Sequence, residues 1–236
     1  IDAMAADFHV ISYSRYASYP NQNPPRQATH PIILDVADLT AFHDGVQRGA
    51  ANLVGVSYGA LLALLYARQH PEKILSLTLV EPPLHQWACR APAGAVLYEQ
   101  FMTTAWTPAR YAFSQGDELR AVHLLTAGMW GQSSFESWPV ERRHAALRNA
   151  GAMRLHAQAK EPFDVISRSD VAQLTMPTLL VNGSNTSALH RCVMDELAVV
   201  IPHAHRLLIE NAGHGTPAEN PGNFNQRVRE FLLRVQ

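Results

Sequence analysis

Gly55-Val56-Ser57-Tyr58-Gly59 lies between the apolar run Asn52–Val56 and a helix predicted over Ala60–Gln69. A strand that turns directly into a helix at this point would strain the backbone of Ser57 and lift its hydroxyl clear of the sheet. We expect glycine at positions 55 and 59 because a Cβ atom at either position would clash in so sharp a turn. The pattern therefore predicts a nucleophilic serine at the end of a strand.

The helix that follows this turn has its own chemical consequence. Its N-terminus would point at Ser57, where the helix dipole and the free N–H groups stabilise negative charge. The backbone N–H of Tyr58 is therefore a candidate donor to the oxyanion that forms during acyl transfer.

Short apolar runs and helical patterns alternate along the rest of the chain. Helical spacing marks a stretch near Val36 and the C-terminal helix with Phe224 and Phe231, and strands are predicted at Phe8–Tyr13, Asn52–Val56, Leu75–Val80, Pro177–Val181 and Arg206–Ile209. Alternation of this kind is typical of an α/β protein with a mostly parallel sheet and helices on both faces.

The middle of the chain departs from this alternation. Residues 84–172 contain helical patterns, few strand runs and all four tryptophans. Because strands resume after this stretch, we interpret it as a helical cap inserted into a core formed by residues 1–83 and 173–236.

A serine hydroxyl is a weak nucleophile and needs a base to accept its proton. His214 lies in Ala212-Gly213-His214-Gly215, just after the last predicted strand. The flanking glycines leave a short loop that can present the ring at the end of that strand. The other eleven histidines lack this placement, and we expect surface or capping positions for them.

These features together resemble the α/β-hydrolase superfamily. The resemblance runs from about Phe8 to the last helix and includes the serine turn, the helical insertion, Pro177–Gly183 and the late Gly-His loop. It implies an α/β-hydrolase fold in which Ser57 is the nucleophile and His214 its general base, with the acid between them in chain order.

The resemblance also implies elements that this chain does not show. Two strands of the usual sheet, and the loop that supplies a second oxyanion donor, would lie before Ile1, so we expect the N-terminal strands to be missing. Tyr13-Ser14-Arg15-Tyr16 replaces the Asp-x-Arg-Gly turn common in the superfamily. With Tyr58 as the one firm oxyanion donor, the expected loss in rate is about 10²–10³-fold.

The acid is a second departure from the usual superfamily pattern. The usual aspartate is absent from Asn182–Ser187, and Asp195 lies too far along the chain. Glu81 follows the strand Leu75–Val80, 24 residues after Ser57, and this spacing resembles haloalkane dehalogenases and zearalenone-type lactonases. That resemblance implies that Glu81 orients His214.

Other roles for these carboxylates stay open. Glu81 is alternatively a capping or ion-paired side chain, and Glu210 is the rival acid.

The predicted cap is rich in aromatic residues, some of which we expect to line an apolar pocket while others form the cap's own core. These residues are Trp87, Tyr98, Phe101, Trp106, Tyr111, Phe113, Trp130, Phe135 and Trp138. We therefore expect a serine hydrolase that cleaves an ester or lactone bond of an apolar small molecule. Serine at position 57 argues against dehalogenase or epoxide-hydrolase chemistry, which uses a carboxylate nucleophile.

Two alternatives remain at the level of the sequence. One is a C–C bond hydrolase, amidase or thioesterase that uses the same three residues. The other is a catalytically weak or idle ligand-binding protein on the same scaffold, which the missing aspartate and the missing oxyanion loop favour. The fold alone does not separate these functions.

Composition narrows the remaining classes. The chain has 236 residues, 47% hydrophobic and 17% charged, with a net charge of −1, and no basic stripe indicates a nucleic-acid partner. No apolar run reaches the roughly 18 residues of a membrane span. Two cysteines, Cys89 and Cys192, are expected to be free thiols, which fits a cytoplasmic protein. No metal or cofactor motif is present, and nothing indicates an oligomeric state.

Overall fold

Among the residues that the structure describes, a parallel sheet of four strands, in the order β1-β2-β3-β4, forms the centre of the protein. The structure is a computed structural model that describes residues 2–21, 23, 32–46, 49–131, 134–160, 162–163 and 165–235. The strands are Ala51–Val56 (β1), Ile74–Val80 (β2), Thr178–Gly183 (β3) and His205–Ile209 (β4). Because all the pairings are parallel, the carboxyl ends of the four strands meet at one edge of the sheet.

Helices account for most of the remaining described residues. They are Asp2–Ala5 (α1), Ile32–Val46 (α2), Tyr58–Gln69 (α3), Pro92–Phe101 (α4), Thr107–Ser114 (α5), Glu118–Trp130 (α6), Ser134–Ser137 (α7), Val140–Arg148 (α8), Ala150–Ala157 (α9), Arg168–Val171 (α10), Ala188–Val200 (α11), Thr216–Glu219 (α12) and Pro221–Arg234 (α13). A π-helical turn, Met102–Trp106, joins α4 to α5, and two short 3-10 helices are Pro71–Lys73 and His85–Arg90. Within the described ranges, no helix combines the length and the apolar character needed to cross a membrane.

Side chains that alternate along β2 and β3 enter two separate cores. Leu79 of β2 and Leu180 of β3 pack with α3 and α11, whereas Val80 and Val181 pack with α13. Successive residues of a strand point to opposite faces of the sheet, so helices cover both faces. This confirms the α/β class and the mostly parallel sheet predicted from the sequence.

Helices are the only regular secondary structure among the described residues between β2 and β3. We call α4–α10 the helical insertion. Its position agrees with the helical stretch expected over residues 84–172, and the division into core and cap stays a prediction.

The prediction of a strand at Phe8–Tyr13 is wrong. Residues 9–15 have no regular secondary structure, and among the described residues β1 pairs only with β2. Phe8 packs against the core beneath α13, and the Tyr13 ring stacks on Phe42 of α2 with centroids 4.6 Å apart. The apolar side chains of this segment are therefore anchored by packing on two helices, while its backbone pairs with no strand among the described residues.

The connection from β1 to α3 is as abrupt as the sequence predicts. Helix α3 begins at Tyr58, directly after Ser57, whose backbone has φ 51° and ψ −120°. A Cβ atom on Gly55 would lie 2.4 Å from the carbonyl oxygen of Gly59, so glycine is required at position 55. A Cβ atom on Gly59 would meet nothing within 4 Å, because that position faces open space. The clash expected at Gly59 is therefore absent.

The two glycines provide a matched pair of variants. We expect Gly55→Ala to lower the free energy of unfolding by about 1–3 kcal/mol, because the added methyl group must displace the first turn of α3. Gly59→Ala should change it by less than about 0.5 kcal/mol, since the methyl group has room. Urea unfolding of both variants measures this difference, and equal losses would contradict the assigned geometry.

Candidate active site

Among the described residues, three non-glycine residues have positive φ, and all three follow strands at the carboxyl edge of the sheet. Ser57 (φ 51°) and Glu81 (φ 44°) come directly after β1 and β2, and Asn211 (φ 55°) follows β4. L-amino acids rarely adopt this backbone conformation. The chain therefore makes three unusual turns at the edge where the predicted site residues lie.

Glu81 is fully buried, and both of its carboxylate oxygens accept hydrogen bonds. Oε1 accepts the backbone N–H of Gly183 at 3.0 Å, and Oε2 accepts the Thr186 hydroxyl at 2.8 Å. Nδ1 of His214 lies 2.8 Å from the same Oε2. Burial raises the pKa of Glu81, but the His214 hydrogen bond, the neighbouring histidines and the Gly183 N–H together lower it by a larger amount. The net pKa is therefore below its ordinary value. The side chain is thus an ionised acceptor.

The loop after β3 therefore donates hydrogen bonds to Glu81 and does not carry an acid of its own. The stretch from Asn182 to Ser187, where the superfamily usually has an aspartate, provides two of the donors to Glu81. Glu210, the rival acid from the sequence, is exposed, and the carboxylate on His214 Nδ1 is that of Glu81.

His214 is buried in a loop between β4 and α12. Its Nδ1 faces an ionised carboxylate, so Nδ1 carries the proton and Nε2 is left as the acceptor. Nε2 makes no hydrogen bond in this structure. The Trp130 ring packs edge-on against the imidazole, with centroids 4.8 Å apart.

Ser57 and His214 line the same cavity, which has a volume of about 410 Å³. Their side chains are not hydrogen-bonded to each other in this structure, and such contacts are often long before substrate binds. Tyr58 is the first residue of α3, so its backbone N–H has no acceptor within the helix. Its phenol donates to Asp35 Oδ2 at 2.6 Å, and burial raises the pKa of that phenol above its ordinary value.

The walls of the cavity are mainly apolar. Four of the predicted aromatic residues contribute to them: Phe101, Trp106, Trp130 and Trp138. Trp87, Phe113 and Phe135 are buried in the core, and Tyr111 is exposed. Phe163 and His156 complete an aromatic wall with Trp106, their rings lying 4.4 Å and 5.2 Å from that indole. This wall favours an apolar ligand.

Two buried histidines beside His214 were not expected from the sequence. The His190 ring stacks on His214 with centroids 4.3 Å apart and planes 10° apart. Its Nδ1 lies 3.7 Å from Glu81 Oε2, and its Nε2 lies 3.3 Å from Nε2 of His85. The surface or capping positions predicted for these histidines are therefore wrong.

Burial lowers the pKa of His190 well below its ordinary value and that of His85 to about 3, so both rings are neutral near pH 7. A local signal exists only for His190. It lies three residues after Ser187, whose hydroxyl caps α11 by accepting the N–H of residue 190.

Glu81, His190 and His214 are also the group whose donor atoms come closest to a metal-binding arrangement among the described residues, all within 4.8 Å of one another. The two imidazole planes are nearly parallel, so their in-plane lone pairs do not converge on one point. The Glu81 oxygens already accept three hydrogen bonds. The arrangement suits acid–base chemistry better than metal ligation.

Comparison with known proteins agrees with this fold. Residues 1–221 match the sequence profile of the alpha/beta hydrolase fold. A candidate carbamate hydrolase, RutD, from Stutzerimonas stutzeri is 22% identical over 235 residues, which cover 98% of this chain and 84% of that protein. A poly(3-hydroxyalkanoate) depolymerase from Ectopseudomonas oleovorans is 26% identical over 220 residues, covering 91% of this chain and 71% of that protein.

The fold also matches solved structures. MenH from S. aureus superposes with a TM-score of 0.68 at 20% sequence identity, covering 93% of this chain and 81% of MenH. The sequence profile spans well over half of the chain, and the parallel sheet with helices on both faces agrees with it. The chain therefore belongs to the alpha/beta hydrolase fold family.

Proposed function

We propose that the protein is a serine hydrolase that cleaves an ester or lactone bond of an apolar small molecule. The observation that carries this proposal is the 2.8 Å contact between buried Glu81 and His214 Nδ1, which leaves Nε2 as an acceptor beside the cavity that Ser57 lines. Ser57 is the nucleophile, His214 the general base, and Glu81 holds the base in its reactive tautomer.

The reaction follows from these roles. The Ser57 oxygen attacks the substrate carbonyl carbon while His214 Nε2 takes the hydroxyl proton. The resulting oxyanion accepts the Tyr58 N–H at the start of α3, and the imidazolium is stabilised by the Glu81 carboxylate. The C–O bond then breaks, and His214 returns the proton to the leaving alcohol. Water, deprotonated by His214, hydrolyses the acyl-enzyme and restores the serine.

The substrate class rests on the cavity and on the relatives. The cavity walls are mainly apolar and aromatic, although Arg15 also lines the cavity, and the histidines beside the base are neutral. The names of the two relatives refer to hydrolysis of a carbamate and of a polyester, both reactions at a carbonyl carbon. A thioesterase, an amidase or a C–C bond hydrolase would use the same three residues, and assays with matched thioester, amide and diketone substrates distinguish these from an esterase. A cytoplasmic location stays a prediction from the low cysteine content.

An idle ligand-binding protein is the second candidate function. The observation that favours it is the absence of a hydrogen bond at His214 Nε2, since an inactive serine would need no base. The reactivity of Ser57 decides between the two functions.

We expect a fluorophosphonate probe to form one covalent adduct per chain, on Ser57. His214→Ala should abolish this adduct because the hydroxyl then has no base. His144→Ala, which removes an exposed histidine of α8, should leave labelling unchanged. Intact-mass analysis with peptide mapping measures the adduct. A folded wild-type protein that takes no probe would be an idle binding protein, and the proposed function would be wrong.

The role of the acid is tested by a pair of glutamate variants. We expect Glu81→Gln to lower kcat for an ester by about 10⁴-fold, because the amide favours the wrong tautomer of His214. Glu210→Gln should retain wild-type kcat, since that side chain is exposed. Equal kcat for Glu81→Gln and the wild-type enzyme would remove Glu81 from the mechanism.

The apolar cavity predicts a dependence on chain length in a series of p-nitrophenyl esters. Each methylene group that the acyl chain buries contributes about 0.8 kcal/mol. That energy corresponds to about a fourfold rise in kcat/KM per methylene until the cavity is filled. The series from acetate to octanoate measures this rise, and a flat profile would contradict an apolar acyl site.

A further inference from the structure

We propose that Glu219 is a positioning residue that ties the His214 loop to the helical insertion, so that the base is aligned only while the insertion is seated. Glu219 is the last residue of α12, and its carboxylate contacts three separate parts of the chain. We call Glu219, Gly213, Trp130 and Arg142 the Glu219 clamp. The inference rests on the proposed function for the role that it gives to His214.

The contacts of the clamp are short and directed. Oε2 of Glu219 accepts the backbone N–H of Gly213 at 2.6 Å, one residue before the proposed base. Oε1 accepts the indole N–H of Trp130 at 2.7 Å and an N–H of Arg142 at 3.0 Å. One carboxylate therefore joins the base loop to α6 and α8, from residues 89 and 77 positions away in the sequence.

The Glu219 clamp also contacts the imidazole of His214 itself. The Trp130 ring that donates to Glu219 is the same ring that packs edge-on against His214. The Arg142 guanidinium lies 3.8 Å from the Trp138 ring centroid, and both tryptophans line the cavity. A movement of α6 or α8 would therefore disturb both the cavity wall and the packing of the imidazole.

The glycine after the base fits this close arrangement. A Cβ atom on Gly215 would lie 2.8 Å from Glu219 Oε1 and 2.9 Å from the Arg142 guanidinium. A side chain at this position would separate the carboxylate from its partners. The Glu219 clamp can therefore form beside the loop only if residue 215 has no side chain. This explains the glycine at position 215, which the sequence pattern alone connects only with the backbone freedom of the loop.

The charge of Glu219 strengthens the clamp. Burial raises the pKa of Glu219, but the Gly213 N–H, Arg142 and Trp130 together lower it by a larger amount. The net pKa is therefore below its ordinary value. Hydrogen bonds to an ionised acceptor are shorter and stronger than bonds between neutral groups. Because Glu219 does not line the cavity, its effect on the reaction must pass through the His214 loop.

The test compares Glu219→Ala, Glu219→Gln and Trp130→Phe with Glu230→Ala as the control, which loses an exposed ion pair with Arg227 and an exposed hydrogen bond from Gln226. We expect Glu219→Ala to slow fluorophosphonate labelling of Ser57 by about 10–100-fold, because small displacements of a catalytic group have effects of that size. Ester turnover should show a lower kcat with little change in KM. Glu219→Gln should label at a rate between those of the wild-type protein and Glu219→Ala, because its amide nitrogen cannot accept a hydrogen bond.

Trp130→Phe keeps a ring beside His214 but removes the indole donor. We expect it to slow labelling as well, and the double variant with Glu219→Ala should be about as slow as Glu219→Ala alone, because the two side chains act as one unit. Additive effects would contradict the coupling between the insertion and the base.

A readout that needs no activity separates this inference from the proposed function. The NMR resonance of the proton between His214 Nδ1 and Glu81 should shift or broaden in Glu219→Ala and stay unchanged in Glu230→Ala. An unchanged resonance together with wild-type labelling in Glu219→Ala would overturn the inference. If Glu219→Ala does not fold, Glu219→Gln carries the same test. If the wild-type protein takes no probe, the hydrolase proposal fails, and the resonance alone decides the role of Glu219.

Discussion

The buried carboxylate of Glu81 is the constraint on which the rest of the site depends. A charge removed from water destabilises a fold unless hydrogen bonds replace its hydration. The three groups that do so come from different places, namely the end of β3 at Gly183, the loop beyond it at Thr186, and the loop after β4 at His214. Satisfying one charge therefore holds three strand ends together, which the parallel register has already brought to the same edge.

The helical insertion has two roles because of where it meets this edge. It supplies the apolar walls of the cavity, including Trp106 and Trp138, and it contacts the His214 loop directly through Trp130 and Arg142. A second carboxylate, that of Glu219, stands at this junction, as Glu81 stands at the junction of the strands. The site is thus organised by two ionised acceptors, one within the sheet layer and one between the layers.

Features with a local cause could be predicted from the sequence, and features with a tertiary cause could not. The turn at Ser57 and the strand-end position of Glu81 follow from short patterns and from parallel pairing. The apolar run Phe8–Tyr13 reads as a strand because the pattern does not reveal whether a partner strand is present. The stacking of His190 on His214 and the contacts of Glu219 join residues that are far apart in the sequence, so no local pattern predicts these contacts.

The positive φ values at Ser57 and Glu81 have a thermodynamic consequence. A non-glycine residue held in this region destabilises the native state by about 1–3 kcal/mol, and glycine would adopt the same backbone with less strain. Glycine would also remove the hydroxyl or the carboxylate. The protein therefore gives up folding stability at the two positions that its proposed chemistry needs. Its free energy of unfolding is limited by these strained residues at the edge of the sheet as well as by the packing of the core.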